Sequence, residues 1–227
     1  DTWTVPVLGG PASLMLPNAS GLLWIGPREV LFSEIEPGTG AHMGIVTSRE
    51  DRAAERSLYF PEHKRAMAHY SYLSPDRQWV LIVEMNASTV WLPCRLLSFD
   101  AKQTRQVGPP GSCLAAGWSP DGKWMYFNAE IDGAWHLWRQ RFPDGEPEQL
   151  TFGPSEEQGL ALAPDGRSLI TSVGRRYSTI WLRDAKGERP LSAEAFAFSP
   201  RVSADGKRVY YMRRRTPASI ASHQHPG

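Results

Sequence analysis

The sequence lacks any apolar run near the 18 or so residues that a membrane-spanning helix needs; its best candidate, Trp79 to Val83, has the length of a strand. A spanning helix is excluded and no membrane insertion is expected. Cysteine is scarce. Cys94 and Cys113 stand alone, too few for a disulfide framework, and they neither demand nor forbid an oxidising compartment. Two half-buried thiols in adjacent strands are the simpler expectation, with a bridge as the alternative. Charge of one sign is also missing: 25 basic and 24 acidic side chains leave a net charge of +1. The chain as a whole has no field to draw nucleic acid to it, and no nucleic-acid partner is expected. The six histidines form neither His-x-x-x-His nor His-Glu-x-x-His, which argues against zinc. Gly-x-Ser-x-Gly is absent, which leaves a serine nucleophile without its elbow.

Glycine and proline, in contrast, are plentiful. With 20 Gly and 19 Pro among 227 residues the chain turns often, and 41% hydrophobic residues including nine Trp are enough to fill the core of one all-β domain. The turns repeat. Ser74-Pro75-Asp76-Arg77, Ser119-Pro120-Asp121-Gly122, Ala163-Pro164-Asp165-Gly166 and Ser203-Ala204-Asp205-Gly206 have their Asp residues 45, 44 and 40 positions apart, the period of a four-stranded blade. A short apolar or alternating run follows each: Trp79 to Val83, Trp124 to Phe127, Leu169 to Thr171 and Val209 to Met212. Pro presets φ, Asp bonds its own backbone and Gly accepts positive φ, so each unit predicts a strand, a tight corner and a second strand. Leu22 to Phe32 is a degenerate fifth copy. A residue needed once per blade is structural, so the corner aspartates are not candidate catalysts.

A further strand pair follows each corner, clearest from His136 to Thr151 and weakest from Gly44 to Phe60. After Met212 it is missing, yet Thr2 to Leu14 aligns with Leu137 to Leu150. The pattern predicts an all-β, five-bladed β-propeller of four-stranded antiparallel blades, closed by N-terminal strands that complete the last C-terminal blade and hide its open edge. The blades fall at about 18–67, 68–110, 111–155, 156–193 and 194–215 with 1–15; residues 216–227 form a polar tail expected to be disordered. A closed ring is expected to be monomeric; the competing account, an excerpt of a larger propeller, would expose unpaired edges and associate. The chain begins at Asp1, which suggests removal of a leader or an upstream segment.

Trp118-Ser119-Pro120-Asp121-Gly122-Lys123 followed by an aromatic strand, and the closing Glu148-Gln149-Leu150-Thr151, resemble the TolB-like propeller repeat, a relative of WD-type repeats. The resemblance is strong over 70–153 and weak over 18–67. It implies the propeller fold and a periplasmic or secreted location, and it leaves function open among envelope binding proteins, sensor modules and the propeller halves of peptidases. Related propellers also include calcium-dependent lactonases.

In such a ring, the loops entering each inner strand and those after each second strand meet at one mouth, the natural place for a ligand. Candidate ligand-binding residues there are His42, His69, Tyr70, Arg175, Arg176 and Tyr177. Glu34, Glu84 and Glu130 recur near the ends of second strands and, with Glu157, are candidate ligands for a metal ion, Ca²⁺ in particular. Two functions follow: a binding module for a small molecule or protein partner, or a Ca²⁺-dependent hydrolase of esters or lactones, such as an acyl-homoserine lactone lactonase.

Overall fold

A computed structural model describes residues 1–38, 41–175, 177–193 and 196–213; the expected polar tail, 216–227, lies outside them. The chain divides into two compact units. The first comprises Asp1–Ile131, Trp135–Phe152 and Glu157–Ser172, and the second Asp132–Ala134, Gly153–Glu156 and Val173–Gly227. All regular structure among the described residues is β.

An N-terminal hairpin pairs β1 (Thr2–Thr4) with β2 (Ser13–Leu16), Trp3 opposite Leu14. The first antiparallel quartet is β3 (Ala19–Trp24), β4 (Glu29–Ile35), β5 (Met43–Arg49) and β6 (Arg56–Tyr59). The second is β7 (Met67–Leu73), β8 (Trp79–Met85), β9 (Arg95–Ser98) and β10 (Thr104–Gln106). One parallel pairing, Met43 with Met67, joins these quartets. The third, β11 (Ser112–Trp118), β12 (Trp124–Ile131), β13 (Ala134–Arg141) and β14 (Pro147–Gln149), is a separate four-stranded sheet. Then come three hairpins: β15 (Glu156–Leu162) with β16 (Leu169–Gly174), β17 (Trp181–Asp184) with β18 (Gly187–Pro190), and β19 (Ala197–Val202) with β20 (Val209–Arg213). The strand pairs expected around every repeat are present.

The corner chemistry explains why the repeat recurs. Ser119 Oγ donates to Asp121 (2.6 Å) and accepts from the Trp124 amide (2.9 Å), while Asp121 also accepts from the Lys123 amide (3.1 Å). The same three bonds recur around Ser74 with Asp76 and around Ser203 with Asp205. Gly122, Gly166 and Gly206 take φ of +69° to +70°, and Arg77 occupies the equivalent position at +60°.

Packing follows the period-2 alternation of strands. In β8, Val80 and Ile82 pack with Leu31, Ile45 and Leu97, whereas Leu81 and Val83 join the cluster of Met125, Phe127 and Trp118. In β4, Leu31 faces one cluster while Val30 and Phe32 face another with Leu16 and Val46. A strand buried on both faces has no polar side to alternate with, which is why Trp79 to Val83 reads as a continuous apolar run.

The expectation of two separate thiols is corrected. Cys94 and Cys113 form a disulfide, with Cα atoms 5.4 Å apart. The Val107 amide bonds the Cys94 carbonyl (2.8 Å) and the Cys113 amide bonds the Leu92 carbonyl (2.9 Å), which brings the segment after β8 against the start of β11.

Candidate functional site

The first strand of each quartet is bulged near its N-terminal end. Ala68 and Tyr70 oppose the consecutive residues Glu84 and Val83, so His69 is the extra residue of β7; Leu114 is its counterpart in β11, and β3 slips between Ser20 and Leu23. A bulge re-aims the side chains beside it. Glu34, Glu84 and Glu130 lie opposite Ala19, Ala68 and Ser112, which are the first residue of β3, the second of β7 and the first of β11. Their recurrence is therefore a repeated place in the fold.

The four candidate glutamates do not converge on one ligand. Glu34 is bound by Arg52 (2.7 Å), which also holds Glu55 (2.9 Å) and the Pro17 carbonyl. Glu84, almost fully buried, accepts two bonds from Arg95 (3.0 and 2.7 Å) and one from the Tyr59 hydroxyl (2.7 Å). Burial first, and then the Glu84 carboxylate, pushes the Tyr59 phenol well above its ordinary value. Glu157 is buried in β15 beside His136 Nδ1 (3.0 Å) and accepts from Thr151 Oγ1 (2.7 Å). Glu130 is half-buried near the end of β12. Among the described residues no three Asp, Glu, His or Cys side chains are grouped so as to hold a metal ion. The lactonase expectation, which needed that shared site, is not supported: three of its carboxylates serve different protein partners.

What the structure does gather is a cleft of about 490 Å³ at the end of β4 and the start of β5, lined by Glu34, Glu36, Pro37, His42, Ser57 and Phe60. His42 is buried, with Nδ1 2.7 Å from Glu36 and Nε2 2.9 Å from the Pro61 carbonyl. Both partners are acceptors, so only the doubly protonated ring satisfies both. Burial alone would lower the His42 pKa, but the bonds to Glu36 and Pro61 outweigh it and hold the value above 6.5. Phe60 lies directly on β5 because position 44 is glycine: a Cβ there would come within 2.4 Å of its ring.

His69 and Tyr70 sit together, the His69 ring 5.2 Å from Trp91 and 5.8 Å from Tyr70. The His69 Nε2 is buried with no hydrogen-bond partner among the described residues, and burial lowers its pKa. Arg175 and Tyr177 are exposed in the second unit, and Arg176 lies outside the described residues.

The sequence reading missed the tie at the end of the third quartet. Besides the His136–Glu157 pair, Asn128 donates to the Glu157 carbonyl (2.8 Å) and accepts from the Gly159 amide (3.3 Å), while Thr151 Oγ1 accepts from the Leu137 amide (2.9 Å). The available signal was Thr151, which closes the Glu-Gln-Leu-Thr motif six residues before Glu157.

No family model matches the chain, and no curated protein does either. Solved structures do. Against TolB from Acinetobacter baumannii the TM-score is 0.60 at 17% identity, over 94% of this chain and 54% of that one. Against a putative TolB from Agrobacterium tumefaciens it is 0.56 at 17% identity, over 81% and 60%. A puromycin-hydrolyzing peptidase from Mycobacterium tuberculosis gives 0.54 at 19% identity, over 86% and 38%. The chain thus spans little more than half the length of either TolB structure. Together with the repeated antiparallel strand groups, these likenesses define the class: the chain has the β-propeller fold. At 17–19% identity these likenesses are of fold alone.

Proposed function

We propose that the chain is a binding module, a five-bladed ring that presents its mouth to a small ligand or a protein partner. Its blades are about 18–67, 68–110, 111–155, 156–193 and 194–215 completed by 1–15. Two features support closure by the N-terminal strands: β19 and β20 form a two-stranded sheet, and the β1–β2 hairpin places Trp3 opposite Leu14 much as β13–β14 places Trp138 opposite Gln149. The Cys94–Cys113 disulfide supports a periplasmic or secreted location, since such bonds persist in oxidising compartments.

The cleft lined by Glu34, Glu36, His42 and Phe60 carries the binding reading. His42 is held from both ring nitrogens and Phe60 is seated against Gly44 before any ligand arrives. A pre-set site loses little ordering entropy on binding, which is what a recognition surface requires. The test is capture from an extract of the source cell envelope with the chain as bait, followed by affinity measurement on the recovered molecule. Phe60→Ala and Glu36→Lys are expected to weaken that affinity about tenfold while the fold survives, one hot-spot change being worth about 1.4 kcal/mol or more. Recovery of nothing, or affinity unchanged in both variants, overturns the reading.

A further inference from the structure

The near-zero total charge conceals a segregation. The second unit contains eleven Lys and Arg against six Asp and Glu, whereas the first contains fourteen against eighteen. The absence of a strong field therefore holds for the chain as a whole and fails for its second unit. There Arg183 pairs with Glu188 (3.3 Å) and Arg189 with Asp184 (2.9 Å). Arg175, Lys186, Arg201, Lys207 and Arg208 are exposed and form no ion pair among the described residues. The same unit exposes large apolar groups: Val173 is 65% exposed, Tyr177 69% and Trp181 59%.

This combination narrows the partner. Cations alone would suit any polyanion. Trp and Tyr have an apolar body and a polar tip, which places them at the headgroup level of a bilayer, and an aliphatic side chain beside them gains from the acyl boundary. Lys and Arg near an anionic leaflet add attraction that fades within a Debye length. A nucleic acid would offer phosphates to the arginines and bases to the rings, but nothing to Val173.

We propose that the second unit docks peripherally on an anionic lipid surface, with Tyr177 and Trp181 at the headgroups and Arg175, Lys186 and Lys207 over the anionic lipid. This surface goes beyond the mouth cleft and does not depend on it.

The experiment is co-sedimentation of the full chain with phosphatidylcholine vesicles, with and without about 30% phosphatidylglycerol, with a short DNA duplex as a competing polyanion. At least about tenfold stronger partitioning onto the anionic vesicles is expected, together with a blue shift of tryptophan fluorescence and loss of binding between about 50 and 300 mM NaCl. A triple variant, Arg175→Glu, Lys186→Glu and Lys207→Glu, should lose about tenfold in partitioning with its circular dichroism unchanged. Trp181→Ala should lose several-fold and abolish the blue shift. Equal binding to both vesicle types, unchanged binding in the triple variant, or tighter binding to the duplex than to the vesicles would overturn the proposal.

Discussion

His42 connects a single proton to the shape of the cleft. Its pKa is raised in the folded state, so its contribution to stability is present in full below the ordinary value of about 6.5 and is lost as pH rises through the folded value. Urea midpoints of the wild-type chain should therefore fall between pH 6 and pH 8, and those of His42→Gln should fall less. Parallel curves for the two proteins would show that the pair contributes nothing. At Gly44 the argument is steric. A methyl group forced to within 2.4 Å of the Phe60 ring displaces it, so Gly44→Ala should destabilise by about 1–3 kcal/mol and weaken whatever the cleft binds. Neither property is visible in the sequence, where His42 and Gly44 are two small features of the blade with the weakest repeat. What makes them matter is Phe60, sixteen residues beyond Gly44 and brought back by β6.

At the scale of the strand and the turn, most of the fold was legible because its cause is local. Ser, Pro, Asp and Gly at fixed offsets impose a corner by bonds that span five residues at most, and the corners returned as expected. Arg77 is the telling exception: it stands at φ +60° where three other corners place glycine. Arg77→Gly should raise stability by about 1 kcal/mol by relieving the left-handed strain, and unchanged thermal unfolding would count against that reading. The carboxylates were legible as a recurring position but not as partners. Their positions come from the second strand, which repeats. Arg52, Arg95 and His136 come from other segments, which vary between quartets. Bulges escaped notice because they depend on register between strands. Glu84 shows what is at stake: Glu84→Ala would leave Arg95 and Tyr59 without their shared acceptor and should destabilise by about 3–5 kcal/mol in denaturant titration, far more than loss of an exposed ion pair.

For the whole molecule, the repeat and its period specify the class of fold, and structural likeness to TolB and to a propeller-bearing peptidase agrees with it. Composition misled on charge, since a sum over 227 residues erased the basic C-terminal segment. It was silent on the disulfide because nineteen intervening residues give no hint that the segment after β8 meets the start of β11. A bridge of that span stabilises by about 3 kcal/mol, so a Cys94→Ser, Cys113→Ser double variant should unfold correspondingly earlier in urea. The central claim is a ring closed by the chain's own first strands, and light scattering after size-exclusion chromatography tests it most directly. The 227-residue chain should elute as a monomer of 25.4 kDa at every concentration, and removal of residues 1–15 should expose a sheet edge and drive association. A full chain that self-associates, or a truncated one that stays equally monomeric, would contradict closure.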